Sequence, residues 1–185
     1  MSETEKSFSL NTSDGLTLHG RQWCAPSQVQ GALAVVTGIG EHSGRYQGLA
    51  QAFTQAGVSV FSFDHRGHGM SEGKRAYTPS YEHMLGDIDL FLSLVRSRCE
   101  SLPLLLYGHS MGGNLSINYT LRKKPALAGV IAASPWLRTA QEIPWVIRLL
   151  LPILDKVLPG LTLSTRIGPA QLTHNTEVID RLLGD

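Results

Sequence analysis

Residues 102–116 read LPLLLYGHSMGGNLS, and this stretch decides the fold. An apolar run ends in a serine framed by glycines, and a segment with helical spacing follows. Glycines two positions to either side of Ser110 remove the Cβ atoms that would clash in a sharp strand-to-helix turn. The pattern G-x-S-x-G in this setting is typical of a serine nucleophile. We therefore predict that Ser110 is a nucleophile and that Gly108, His109 and Gly112 form the elbow around it.

The segments on either side of this stretch alternate between strand and helix patterns. Alternating polarity around a Ser-Asp-Gly turn predicts a hairpin over 8–23, at an edge of the sheet. Continuous apolar runs predict buried strands at 32–38 and 58–64 and further strands of the sheet at 102–107 and 128–134. Helical spacing occupies 46–57, 80–98 and 114–124. The predicted fold class is therefore α/β, with a mostly parallel sheet and flanking helices.

The pattern changes in the C-terminal part of the chain. Residues 143–160 are apolar with helical spacing but contain three prolines, which predicts short, broken helices. Three charged residues in the same segment argue against a membrane span. We predict that residues 1–134 form the N-terminal part of an α/β domain and that 135–185 form a partial helical cap. Simple packing of these leucines on the main domain is the open alternative.

Composition and charge narrow the class of partner. A formal net charge of +1 with 17% charged residues supplies no basic stripe, so nucleic acid is not an expected partner. The polar N-terminus contains no apolar signal segment, which predicts a cytoplasmic protein, with peripheral membrane contact through the cap left open. Cys24 and Cys99 lack metal-ligand spacing and are expected to be free thiols. We expect neither a metal nor a cofactor, and the oligomeric state stays open.

The loop after the strand at 32–38 is the expected source of a second oxyanion donor. This loop reads TGIGEH over residues 37–42. Backbone amides at the loop and at the residue after the nucleophile form the oxyanion hole in strand-turn-helix hydrolases. We predict that these donors are the amides of Ile39 and Met111. In the alternative interpretation, Gly38 and Gly40 only turn the chain.

Three motifs, in this order and spacing, resemble the monoglyceride lipase and lysophospholipase branch of the α/β-hydrolase superfamily. They are TGIGEHSGRY at 37–46, FDHRGHGMSEG at 63–73 and GHSMGG at 108–113. The resemblance covers nearly the whole chain and implies Ser110 as nucleophile, with an oxyanion hole at the amides of Ile39 and Met111. It also implies a cap over a hydrophobic acyl pocket, a small acyl ester or lipid as substrate, and a structural role for the middle motif. Thr37 stands where the family usually has histidine.

The catalytic acid and histidine of this superfamily follow the serine, on loops after two further strands. Only 51 residues (185 − 134) follow Ser134, which leaves little room for two more strand-and-helix units. We expect the last strands of the sheet, the acid and the histidine to lie beyond residue 185. Asp155 and His174 have the right chain order, but both fall in the cap-like segment.

Other titratable residues near the motifs have structural interpretations. Loop hydrogen bonds explain His42, His65, His68 and His109, and a solvated face or a salt bridge explains Asp87 and Asp89. The leading hypothesis is a serine ester hydrolase acting on monoacylglycerol, lysophospholipid or similar acyl esters through an acyl-enzyme. Two alternatives share the motifs: a catalytically inactive chain without the triad acid and histidine, and an acyltransferase.

Overall fold

The computed structural model describes residues 5–26, 28–138, 145–157, 175, 176 and 179 of the chain. Six strands are Glu5–Asn11 (β1), Thr17–Trp23 (β2), Gly31–Val36 (β3), Val58–Phe63 (β4), Leu104–His109 (β5) and Gly129–Ala133 (β6). Four α-helices are Gln47–Gln55 (α1), Tyr81–Arg98 (α2), Met111–Lys123 (α3) and Trp145–Val157 (α4), and a 3-10 helix spans Ser43–Tyr46. Within this part of the chain, no helix is long and apolar enough to cross a membrane.

The strands form one sheet in the order β1-β2-β4-β3-β5-β6. The N-terminal hairpin is antiparallel and joins β4 in antiparallel fashion, whereas β4, β3, β5 and β6 are parallel. The predicted α/β class and the hairpin at the sheet edge are therefore confirmed. Among the described residues, β6 forms the opposite edge and pairs only with β5.

Strand β3 lies at the centre, and its alternate residues face two separate cores. Leu33 and Val35 pack on the side covered by α1. Ala34 and Val36 pack on the side covered by α2 and α3. All six residues of β3 are buried, because helices cover both faces of the parallel sheet. The sheet thus holds the ends of β3 and β5 side by side, where the predicted site residues lie.

Helix α4 departs from the expectation of broken helices, because it runs unbroken from Trp145 to Val157 with Pro152 inside it. Proline removes one N–H donor and crowds the preceding turn. The leucines and isoleucines on both sides of Pro152 favour helix strongly enough to continue through it. The chain divides into two compact units, residues 1–149 and 150–185, and our division at residue 134 stays a prediction.

The loop after β4 is held by buried charged side chains. Asp64 accepts the backbone N–H groups of Ser43 (2.6 Å) and Met70 (2.9 Å), which ties this loop to the 3-10 helix. Arg66 is buried and donates to both carboxylate oxygens of Asp87, each at 2.7 Å. These bonds connect the loop to the 3-10 helix and to α2. The motif at 63–73 therefore holds the loop after β4 to the 3-10 helix and to α2.

His65 lies fully buried beneath the loop that follows β3. Its Nε2 is 3.1 Å from the carbonyl oxygen of Thr37, so a neutral ring with Nε2–H donates to that carbonyl. Its Nδ1 has no hydrogen-bond partner in the described part of the molecule. Burial, and secondarily the nearby His68, lowers the pKa of His65 to about 4. The ring is therefore neutral at pH 7.

We expect the free energy of unfolding to decrease as the pH falls from about 6.5 towards 4. Unfolded histidine binds a proton near pH 6.5, whereas folded His65 resists protonation until about pH 4, so protons favour the unfolded chain in this window. The full loss is about 3 kcal/mol, because each tenfold difference in proton affinity between the folded and unfolded chain corresponds to about 1.4 kcal/mol. Urea unfolding of the wild type and of His65→Gln across this pH range measures the effect. Equal pH slopes in the two proteins would contradict it.

Candidate active site

Ser110 forms the turn by which β5 runs directly into α3. Its backbone has φ 52° and ψ −114°, a conformation that residues other than glycine rarely adopt. Such strain costs about 1–3 kcal/mol and persists only where neighbouring structure holds it. The Ser110 N–H donates to the Ala133 carbonyl (3.0 Å), and the Ser110 carbonyl accepts the Trp136 N–H (2.9 Å). The structure thus places the predicted nucleophile in a strained turn at the start of a helix.

The glycines around Ser110 are required by close approaches of backbone. A Cβ on Gly108 would lie 2.3 Å from the carbonyl oxygen of Gly112. A Cβ on Gly112 would lie 2.2 Å from the carbonyl oxygen of Val36, at the end of β3. Only glycine fits at these positions, because real Cβ atoms do not approach backbone oxygens so closely. The first turn of α3 therefore rests directly against the end of β3.

The two predicted oxyanion donors lie at the start of α3 and in the loop after β3, the two segments that pack against each other. Met111 is the first residue of α3, and Ile39 follows the end of β3 in a loop where Gly40 has φ 69°. Neither amide N–H has a hydrogen-bond acceptor among the described residues. An N–H at the start of a helix points away from the helix and is available to a negatively charged oxygen. The geometry is compatible with the predicted role of both amides.

Glu41 connects this loop to the elbow. From the sequence we assigned it no role. Its carboxylate accepts the N–H of Gly38 (2.7 Å) and the hydroxyl of Tyr46 (2.7 Å). It also lies 3.1 Å from Nδ1 of His109, the residue before Ser110. The signal was present in the motif TGIGEH, where a carboxylate three residues after a glycine can close the loop on itself. Its contact with His109 spans 68 positions and has no local signature.

Within the described residues, no hydrogen bond links the Ser110 hydroxyl to a histidine. The four histidines near the motifs each contact another group through a ring nitrogen. His42 accepts the Gly44 N–H, and His109 lies against the Glu41 carboxylate. His65 contacts the carbonyl of Thr37, and His68 contacts the carbonyl of Arg66. Their geometry agrees with the structural interpretation rather than with a base role. No described side chain therefore stands ready to accept the Ser110 proton.

The remaining titratable residues that the sequence singled out also lie away from Ser110 or outside the described part. Asp87 is buried and pairs with Arg66, which is the salt-bridge alternative. Asp89 accepts the hydroxyl of a tyrosine on α3. His174 and the side chain of Asp155 lie outside the described residues. The expectation that the acid and the histidine are not this pair is therefore untested and stays a prediction.

Apolar side chains are exposed next to the elbow. Trp136 is bonded to Ser110 through its backbone, and 44% of its surface is exposed. Leu137 and Ile39 are also exposed. Apolar side chains with a few directed polar groups are typical of small-molecule sites. The surroundings of Ser110 therefore suit an apolar ligand group better than a charged one.

Comparison with known proteins finds a hydrolase family and several lipases that are similar to this chain. Residues 27–185 match the family Hydrolase_4, described as serine aminopeptidase, S33. The monoglyceride lipase of Rattus norvegicus is 35% identical over 173 residues, which cover 92% of this chain and 56% of that protein. The crystal structure of the Paleococcus ferrophilus monoacylglycerol lipase matches with a TM-score of 0.77 at 35% identity, over 91% of this chain and 62% of that chain.

A soluble variant of the Saccharomyces cerevisiae monoglyceride lipase, solved in complex with a substrate analog, has the same fold. Its TM-score is 0.80 at 24% identity, over 100% of this chain and 62% of that chain. The chain thus spans roughly three fifths of the length of these lipases, from 56% to 62%. The family match covers most of the chain, and the sheet order and strained serine turn agree with it. The chain therefore belongs to the Hydrolase_4 family (serine aminopeptidase, S33) and has the α/β-hydrolase fold.

Proposed function

We propose that the protein hydrolyses carboxylic esters of small alcohols, with monoacylglycerols or lysophospholipids as substrates and Ser110 as nucleophile. The observation that carries this proposal is the strained backbone of Ser110 between β5 and α3. Backbone strain of this kind clusters at active sites and ligand-binding segments. The exposed apolar groups beside the elbow and the lipase names of the related proteins support an acyl ester as substrate.

The reaction proceeds in two steps. The Ser110 hydroxyl attacks the ester carbonyl and passes its proton to a base, so that a bond forms between Oγ and the acyl carbon. The amides of Ile39 and Met111 donate to the oxyanion of the tetrahedral intermediate. The intermediate collapses, the alcohol leaves with the proton, and a water molecule then hydrolyses the acyl-enzyme by the same sequence.

The base is the part of the mechanism that the described residues do not supply. A histidine oriented by an acid performs this role in the superfamily. We propose that this histidine and its acid lie outside the 185 residues, and His174 with Asp155 is the alternative. The catalytically inactive alternative differs from both, because Ser110 would then have no base at all and would not react.

The test is the intact mass of the purified chain before and after treatment with a fluorophosphonate, which marks serines activated by a base. One adduct that maps to Ser110 would show that a base lies within the 185 residues, whereas no adduct is expected if the histidine lies outside them. If an adduct forms, His174→Ala decides whether His174 is the base, because this variant loses the adduct only in that case. An unmodified mass would contradict hydrolysis by this chain and favour the inactive alternative.

Turnover assays separate the substrate classes once the adduct is found. A monoacylglycerol, a lysophosphatidylcholine and an aminoacyl p-nitroanilide are compared under the same conditions. The family description names an aminopeptidase, but the apolar surroundings of Ser110 favour the two lipids. Faster turnover of the anilide would contradict the proposed substrate class. Transfer of the acyl group to glycerol instead of water would identify the acyltransferase alternative.

A further inference from the structure

The carboxylate of Glu41 is the point at which the loop after β3 and the nucleophile elbow meet. It binds a backbone N–H of its own loop at Gly38 (2.7 Å), and Nδ1 of His109 lies 3.1 Å from Oε1 and 3.3 Å from Oε2. His109 is the last residue of β5 and immediately precedes Ser110. One side chain therefore connects the backbone of the loop after β3 with the side chain of the residue that precedes Ser110.

The loop closes on itself around this carboxylate. The Glu41 N–H donates to the Gly38 carbonyl (3.4 Å), while the Gly38 N–H donates to the Glu41 side chain. A Cβ on Gly38 would lie 2.8 Å from Oε2 of Glu41, so the carboxylate sits directly against the glycine backbone. Ile39 lies between these two bonded residues. The direction of its N–H is therefore set by how Gly38 and Glu41 are bonded to each other.

The charge state of Glu41 suits this role. Burial alone raises its pKa, but the hydrogen bonds from Tyr46 and Gly38 and the proximity of His109 outweigh burial and hold the pKa below the ordinary value. Burial and the neighbouring carboxylate raise the pKa of Tyr46, which keeps its hydroxyl protonated as a donor. An ionised carboxylate accepts all of these bonds, and bonds to a charged acceptor are stronger than neutral ones.

We propose that Glu41 is a positioning residue: it fixes Gly38 against His109 and thereby aims the Ile39 N–H at the oxyanion that forms on Ser110. This inference rests on the proposed function for its effect on rate, but the arrangement of the loop is testable without turnover. The bonds of Glu41 run to Gly38, Tyr46 and His109 rather than to Ser110. Removal of Glu41 therefore weakens stabilisation of the transition state rather than binding of the ester.

The matched control is Glu72, whose carboxylate also binds a backbone N–H, that of Thr17 at 2.7 Å. Glu72→Ala removes a carboxylate-to-amide bond at an exposed site on another loop. Glu41→Ala removes the loop closure, whereas Glu41→Gln keeps an amide oxygen that accepts from Gly38 and Tyr46. Comparison of these three variants separates positioning from a general loss of loop stability.

The first readout is amide hydrogen exchange and the proton chemical shift of Gly38 in the 185-residue chain. In Glu41→Ala we expect Gly38 to exchange at least about tenfold faster and its resonance to move upfield, because the bond to a carboxylate is lost. In Glu41→Gln the exchange rate stays within about threefold of the wild type, and in Glu72→Ala it is unchanged. Unchanged exchange of Gly38 in Glu41→Ala would overturn the proposal, whether or not the chain is active.

The second readout is steady-state hydrolysis of a p-nitrophenyl ester. Loss of one oxyanion donor costs about 100- to 1,000-fold in kcat, so a misdirected donor in Glu41→Ala is expected to lower kcat about 10- to 100-fold with little change in KM. Glu41→Gln restores most of kcat. A rise in KM at constant kcat, or an equal loss in Glu41→Ala and Glu41→Gln, would overturn the positioning role. A wild-type chain without turnover contradicts the proposed function and leaves the exchange result to decide this inference.

Discussion

Replacement of Ser110 by glycine is expected to increase the free energy of unfolding and at the same time to abolish reaction with esters. Ser110 has φ 52° and ψ −114°, where glycine is far less strained than any residue with a Cβ atom. Relief of about 1–3 kcal/mol of strain outweighs the larger unfolded-state entropy of glycine, about 0.5–1 kcal/mol. The net expected gain is about 1 kcal/mol.

Ser110→Ala is the matched control, because alanine keeps the Cβ atom and lacks only the hydroxyl. We expect its free energy of unfolding to stay within about 0.5 kcal/mol of the wild type. Ester turnover is expected to fall by a factor of at least about 10,000 in both variants, and neither forms a fluorophosphonate adduct. Urea unfolding and intact mass measure the two effects separately. A glycine variant less stable than the alanine variant, or an adduct in either of them, would contradict the prediction.

Replacement of Arg66 by methionine is expected to destabilise the fold by about 3–5 kcal/mol. The side chains of Arg66 and Asp87 are 2% and 3% exposed, and two hydrogen bonds of 2.7 Å join them. Burial raises the pKa of Asp87 above its ordinary value, although the hydrogen bonds and charge of Arg66 lower it. Without the guanidinium, the buried carboxylate of Asp87 loses the cation that compensates its desolvation. This uncompensated desolvation accounts for most of the decrease in the free energy of unfolding.

Two further variants test this explanation. Arg66→Met combined with Asp87→Leu removes both charges and is expected to recover most of the stability. Arg66 also donates from Nη1 to Oδ2 of Asp14 (2.8 Å), whose side chain is 29% exposed. Asp14→Asn changes only this more exposed partner, and its expected cost is about 1 kcal/mol or less. Urea unfolding midpoints of the three proteins measure these differences. A double variant as unstable as Arg66→Met alone would show that lost packing, rather than an unpaired charge, is responsible.

The sequence predicted what local patterns control. Buried strands follow from continuous apolar runs, and the helical stripe of α2 from the spacing of Met84, Leu85, Ile88, Leu92 and Val95, all of which are buried. The α/β sheet follows from the alternation of these patterns. The elbow follows from the glycines, because a chain places glycine at such spacing where a close approach of backbone requires it.

The sequence did not predict what distant residues control. Helix α3 begins at Met111 rather than at residue 114, because contact with β3 overrides the poor helix propensity of Gly112 and Gly113. The role of Glu41 depends on its contact with His109, 68 positions away, and the pairing of Arg66 with Asp87 spans 21 positions. Such contacts arise only from the assembled sheet and its loops, so no local pattern reports them.

The bonds that hold Ser110 also set when its conformation can form during synthesis. Its N–H and carbonyl are bound by Ala133 and Trp136, which follow it by 23 and 26 residues (133 − 110 and 136 − 110). A nascent chain that stops earlier lacks both partners and keeps only the bond from the Asn114 N–H to the Ser110 carbonyl (3.1 Å), so less of the strain is offset. Segments emerge from the ribosome in N-terminal to C-terminal order. The hairpin and the first core are therefore made early, while both bonds to Ala133 and Trp136 form only after β6 has been made and has docked on β5.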